Sequence, residues 1–204
     1  MSKRTSKEIV DTLKTYFKEG VNAYASNTHF VQELTINHAA LMPNGGGGEF
    51  PLNNANTKRL VGVSDFQGEQ ITPDANGLIR AVVVRYGDLT REVGVLVAPS
   101  PAIIDFKETR ASLPPWLLQS ELVLKTSSKE EFRIRVSELV PSAAPDRVPS
   151  EWAKELEKTI KVEGSQSLTL YLNTPEGATD PSATRDEYVQ VILYGVKFAP
   201  RKSN

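Results

Sequence analysis

Glu187 to Phe198 reads E-Y-V-Q-V-I-L-Y-G-V-K-F, and this run decides the class of the fold. At the period of two that a strand imposes, Tyr188, Ile192, Tyr194, Val196 and Phe198 fall on one side and Val189, Val191 and Leu193 on the other. Both sides are largely apolar, so the strand needs cover on both. Coming last, it is expected to slot between strands made earlier, or to lie where a second molecule supplies the cover.

Upstream of it, Leu168, Leu170 and Leu172 alternate with Thr169, Tyr171 and Asn173, which gives a strand, and a Gly-, Pro-, Asp- and Thr-rich loop from Pro175 to Asp186 follows. Ser120–Lys125 and Glu131–Ser137 flank the polar turn Thr126–Glu130, a hairpin signal. In its second arm Phe132, Ile134 and Val136 alternate with Arg133, Arg135 and Ser137, so one face is wet. Pro141–Pro149 is linker-like, and Ser150 is placed to cap a helix with Trp152, Leu156 and Ile160 on one side.

Earlier still, Leu78–Tyr86 is strongly β-prone, with Ile79, Ala81 and Val83 facing one way and Leu78, Val82, Val84 and Tyr86 the other. Glu92–Ala98 reads as another strand, after which Pro99, Pro101, Pro114 and Pro115 bracket an irregular excursion holding Ile103, Ile104 and Phe106. Arg59–Asp65 reads as a short strand and His29–Asn37 as a further one. Between them a long loop, His38–Thr57, carries Gly45 to Gly48, then Phe50, Pro51 and the amides Asn53, Asn54 and Asn56.

At the start of the chain Thr5 and Glu8 are spaced as a capping box, and Val10, Leu13, Phe17, Val21 and Tyr24 recur at helical intervals. A helix over Ser6–Glu19 is expected, stopping at Gly20. Lys3, Arg4, Lys7, Lys14 and Lys18 outnumber Glu8 and Asp11 there. This basic segment is either an amphipathic helix lying on its own domain or an arm reaching a neighbour, a phosphate backbone or a lipid surface.

These elements make about eight strands, one terminal helix and one inserted helix, without regular β-α-β alternation, which argues against a doubly wound parallel fold. The expectation is a mainly β protein, an antiparallel two-sheet sandwich, and its long connections favour a single eight-stranded jelly roll. Residues 1–27 form the helical arm and 28–204 the sandwich. At 204 residues the chain suffices for one such domain.

Lys plus Arg number 24 against 25 Asp plus Glu, a formal charge of -1, so bulk attraction to nucleic acid is not expected. Cysteine is absent, which removes disulfides, thiol nucleophiles and Cys-ligated zinc. No apolar run approaches a membrane-spanning length, and the polar start leads into no signal-like block, so a protein made and kept inside a cell or a particle is expected.

Catalytic constellations are not evident. His29 and His38 are the only histidines, and their spacing fits no metal-ligand motif. The glycine run lacks the lysine and hydroxyl residue of a phosphate loop. Glu130 with Glu131 and Asp105 with Glu108 lack an apolar surround that would raise one carboxyl, and no Gly-x-Ser-x-Gly elbow is present. The sequence therefore points to no enzyme, no cofactor and no small-molecule substrate. Trp116, Trp152 and six tyrosines keep a carbohydrate- or peptide-binding module as the alternative, using the loops near Trp116 and Pro175–Asp186.

Three stretches carry a resemblance: F-P-L-N-N-A-N-T-K-R-L-V-G-V-S-D-F (Phe50–Phe66), the hairpin with its P-P-W-L-L-Q-S approach (Pro114–Leu139), and the terminal strand. Their wording resembles jelly-roll structural proteins of icosahedral bacteriophages. The resemblance implies a barrel repeated in a shell, a virion location after synthesis in the host cytoplasm, and further copies and other capsid proteins as partners. On this reading the assembly contacts are Val10, Leu13, Phe17, Phe50, Tyr188, Tyr194 and Phe198, while Lys3, Arg4, Lys7, Lys14 and Lys18 touch genome or internal membrane.

Overall fold

The computed structural model describes Asp11 and residues 29–43, 47–71, 77–90, 100–127, 129–143, 152–163, 166–177 and 185–200. The expected helix over Ser6–Glu19, Asp11 apart, and the expected strand Glu92–Ala98 lie outside the described residues. Eight strands are present among the described residues: β1 (His29–Leu41), β2 (Gly48–Pro51), β3 (Gly77–Thr90), β4 (Glu121–Thr126), β5 (Lys129–Arg135), β6 (Lys154–Val162), β7 (Leu168–Thr174) and β8 (Arg185–Pro200). Two short helices flank the β4–β5 hairpin, α1 (Pro115–Gln119) and α2 (Val136–Leu139).

The strands form two antiparallel four-stranded sheets, ordered β1-β8-β3-β6 and β2-β7-β4-β5. β8 pairs with β1 from His29↔Pro200 to Leu41↔Tyr188 and with β3 from Gly77↔Lys197 to Thr90↔Arg185. Both of its edges are therefore hydrogen-bonded along nearly its whole length, which suits the most β-prone run in the chain. Val189, Val191 and Leu193 face the other sheet, where with Leu34, Ile36, Val82 and Val84 they meet Leu122, Leu124, Leu168, Leu170 and Leu172. Leu117 of α1 and Leu139 of α2 complete this core.

β3 carries a bulge between Ile79 and Ala81. One extra residue shifts the alternation, so Ile79, Val82, Val84 and Tyr86 line the core while Ala81 and Val83 turn to the outer face. Strict period-two reading had placed Ile79 with Ala81 and Val83.

Three other expectations are corrected. The inserted helix does not extend over Leu156 and Ile160: Trp152 is helical, the residues just before it lie outside the described residues, and Lys154–Val162 is strand β6 on the free edge of β3. Leu156 and Ile160 satisfy a helical spacing, but Val162 joins them at period two and the edge of β3 decides between the two. The segment His38–Thr57 is not one loop, since β1 runs on to Leu41 and Gly48–Pro51 pairs with β7 as β2. Arg59–Asp65 is not a strand: it folds back on itself at Val61 and Gly62, with Leu60 and Ser64 bridged.

Candidate assembly surface

The outer face of β1-β8-β3-β6 is covered in large part by the chain itself. Where β6 leaves β3, the segment after Ser100 takes over: Tyr86 and Lys107 exchange backbone hydrogen bonds of 2.9 and 2.8 Å. Ile104 lies where a Cβ on Gly87 would be, Phe106 crowds the same place, and Glu108 holds Arg85 at 2.6 Å. Beside this strap Trp152 and Ala153 pack on Ala81, Val83, Ile192 and Tyr194. Burial raises the phenol pKa of Tyr194 above its ordinary value. Four buried polar atoms on this side, Asn37 Oδ1, Arg85 Nε, Gln190 Oε1 and Trp152 Nε1, make no hydrogen bond among the described residues. Gln190 stands directly opposite Arg85, so the unsatisfied groups belong to neighbouring strands of one face.

The outer face of the other sheet is different in kind. Lys125 pairs with Glu49 at 3.0 Å and lies 4.3 Å over the ring of Tyr171, while Arg133 reaches Glu121 at 3.1 Å and Glu130 at 2.9 Å. Its charges are neutralised between adjacent strands, which keeps it solvated. Hydrogen bonding to Arg133 holds the Glu130 carboxyl below its usual range.

At one end of the sandwich Glu187 accepts hydrogen bonds from Tyr86 Oη at 2.8 Å and Trp116 Nε1 at 3.3 Å, with the two rings edge to face. Arg185 and Asp88 pair at 2.6 Å next to it. Burial, then the bond to Glu187, pushes the Tyr86 phenol far above its ordinary pKa, so it stays a donor. Trp116 is packed against the core and its N–H is engaged, which does not favour it as a stacking platform for sugars.

His38 is likewise internal. Nε2–H donates to the Leu52 carbonyl at 2.7 Å, Nδ1 accepts from Ser64 Oγ at 2.9 Å, and that oxygen accepts the Phe66 amide at 3.1 Å. A carbonyl can only accept, so the proton sits on Nε2. Burial lowers the imidazole pKa, and His38 works as a neutral cross-link between β1 and the segment after β2.

Four large apolar side chains are exposed among the described residues: Val61 fully, Ile103 by 69%, Leu60 by 55% and Leu41 by 39%. Each belongs to β1 or to a segment that touches it. Leu41 belongs to that strand, Ile103 sits in the turn Pro101–Ile103 that contacts it, and Leu60 and Val61 tip the hairpin bonded to it through Ala39 N–H to Val63 O at 2.9 Å. Large apolar side chains standing exposed beside one strand form an unusual surface feature.

Of the contacts expected from sequence, Tyr188 is only 1% exposed, Tyr194 is half-buried against Trp152 and Ala153, and Phe50 is half-buried against the core. The structure does not bring these three together as one free patch. The side chain of Phe198 lies outside the described residues, as do Val10, Leu13, Phe17, Lys3, Arg4, Lys7, Lys14 and Lys18. Sequence reading passed over Leu60 and Val61 because L-V-G-V alternates like a strand; Gly62 directly after them was the turn signal.

No family model matches the chain, and no curated protein is recognisably similar to it. What its own architecture defines is the class: a mainly β protein of two facing antiparallel sheets.

Proposed function

We propose that this chain is a structural subunit of a bacteriophage shell, built on a single eight-stranded jelly roll and working by self-association. The observation that carries the reading is the apolar surface at β1, where Leu41, Leu60, Val61 and Ile103 stand exposed beside a face that also holds buried polar atoms unsatisfied among the described residues. Apolar groups exposed on and beside one strand favour a contact with another protein surface, and symmetric repetition lets a modest contact per pair suffice.

The jelly-roll part is supported by which strands pair. β1 with β8, β2 with β7, β3 with β6 and β4 with β5 is the nesting obtained when one long antiparallel ribbon is wrapped into two facing sheets. The phage assignment rests on the three stretches that resemble such proteins. The subunit is made in the host cytoplasm and resides in the virion, with further copies and other capsid proteins as partners. Its basic arm, residues 1–27, grips a neighbour or touches genome or internal membrane.

Electron microscopy and sedimentation of the purified protein over a wide concentration range test this. Closed or ring-like assemblies are expected. A protein that stays monomeric at high concentration and has no partner in virions would remove the reading.

A further inference from the structure

Two features of the outer face of β1-β8-β3-β6 are complementary to each other. The first is a knob. Leu60 and Ser64 exchange backbone hydrogen bonds of 2.9 and 2.8 Å, Gly62 takes the left-handed φ of 77° that the tip requires, and Asn37 Nδ2 reaches the Gly62 carbonyl at 3.3 Å. Asn37 lies on the outer side of β1, so the knob leans over that face. It presents Lys58, Arg59, Leu60 and Val61, all exposed, and neither cation makes an ion pair among the described residues.

The second is a hollow of about 50 Å³ bounded by Glu33, Thr35, Arg80, Ala153, Glu155 and Tyr194. Thr35 is opposite Tyr194, which is opposite Ala81, and Asn37 stands two residues further along β1. Knob and hollow are therefore neighbours on one surface. Two carboxylates against the single guanidinium of Arg80 leave the hollow acidic, and neither Glu33 nor Glu155 is ion-paired among the described residues.

We propose that two copies of this chain pair about a two-fold axis, the Lys58–Val61 knob of each seating in the Glu33/Glu155 hollow of the other. The pairing rests on the self-association reading above and supplies its first contact. Adjacency makes it isologous: because knob and hollow share one face, a single rotation forms both contacts at once. Val61 enters against Tyr194 and Ala153, and Lys58 and Arg59 come to Glu33 and Glu155. Opposite charges across the contact fix its register, and like charges there are strongly unfavourable.

The test uses the full chain and two surface variants, K58E/R59E and E33K/E155K, each checked for an unchanged unfolding midpoint. By sedimentation, each variant alone should associate at least about tenfold more weakly than the parent, while a one-to-one mixture should recover association, since mixed pairs restore attraction at both contacts. Raising salt should weaken the parent complex. Variants that associate as the parent does would show that copies meet elsewhere, leaving the shell reading standing and this contact overturned. A parent chain that never associates would remove both. Flotation of the parent with anionic vesicles that V61D abolishes, with self-association unchanged, would make the knob a lipid anchor and overturn the contact.

Discussion

Tyr86 Oη donates to Glu187 Oε1 at 2.8 Å, tying β3 to the start of β8 beside the ring of Trp116. Both residues are buried, so the bond is made where water does not compete for it. Y86F removes the donor and leaves a buried carboxylate oxygen with one donor fewer. A loss of about 1–3 kcal/mol is expected in urea unfolding. Because Trp116 also donates to Glu187, the change should appear in tryptophan emission. An unchanged midpoint would mean water replaces the phenol.

The neutral state of His38 gives stability a pH dependence. Burial holds its folded pKa below the ordinary imidazole value of 6.5, so below that pH the unfolded chain binds a proton that the folded chain resists. Stability is complete above 6.5 and falls as pH drops through the interval down to the folded pKa. Chemical denaturation from pH 7.5 to 5 should show this slope. H38N should be less stable at neutral pH, having lost the bridge to Leu52 and Ser64, and should lack most of the slope. A parent curve flat to pH 5 would place the imidazole in water.

Much of this fold is legible in the sequence, and the failures share a cause. The run around Val191 was readable because apolar residues on both faces leave a strand little choice but the middle of a sheet. β6 was not, since K-E-L-E-K-T-I-K-V fits both periods weakly and only the edge of β3 selects one. β2 is four residues long, half-exposed, and follows a glycine run, so local signals cannot separate it from a loop; its place is fixed by pairing with β7 and by Asn53, whose side chain continues that pairing with bonds to Leu170 N–H and Leu168 O. Side-chain exposure is no more legible from local pattern. Tyr188 has the composition of a contact residue, but only the tertiary fold shows that the chain covers it.

The seat of the strap on β3 depends on Gly87. A methyl group there would overlap Ile104 and crowd Phe106, so G87A must lift the strap from the sheet or distort β3. A destabilisation of about 1–3 kcal/mol is expected, as for overpacked cores. Faster hydrogen exchange should appear at Tyr86 and Lys107, whose mutual backbone bonds hold the strap down. Exchange unchanged in this pair would show that the strap is held elsewhere.

The N-terminal segment precedes the first described strand. The β1–β8 ladder begins at His29, and every described core residue follows it in sequence. On the reading of this segment as an arm, deleting residues up to Gly20 should leave the unfolding free energy within about 0.5 kcal/mol of the parent. If the segment reaches a neighbour, as proposed, sedimentation of the shortened chain should show weaker or smaller assemblies at equal concentration. If its lysines meet phosphate, binding of the full chain to nucleic acid or anionic vesicles should weaken steeply with salt, and the shortened chain should lose it. A shortened chain that unfolds would assign the segment to the core, because a helix whose Val10, Leu13 and Phe17 are needed for stability cannot also be a free arm.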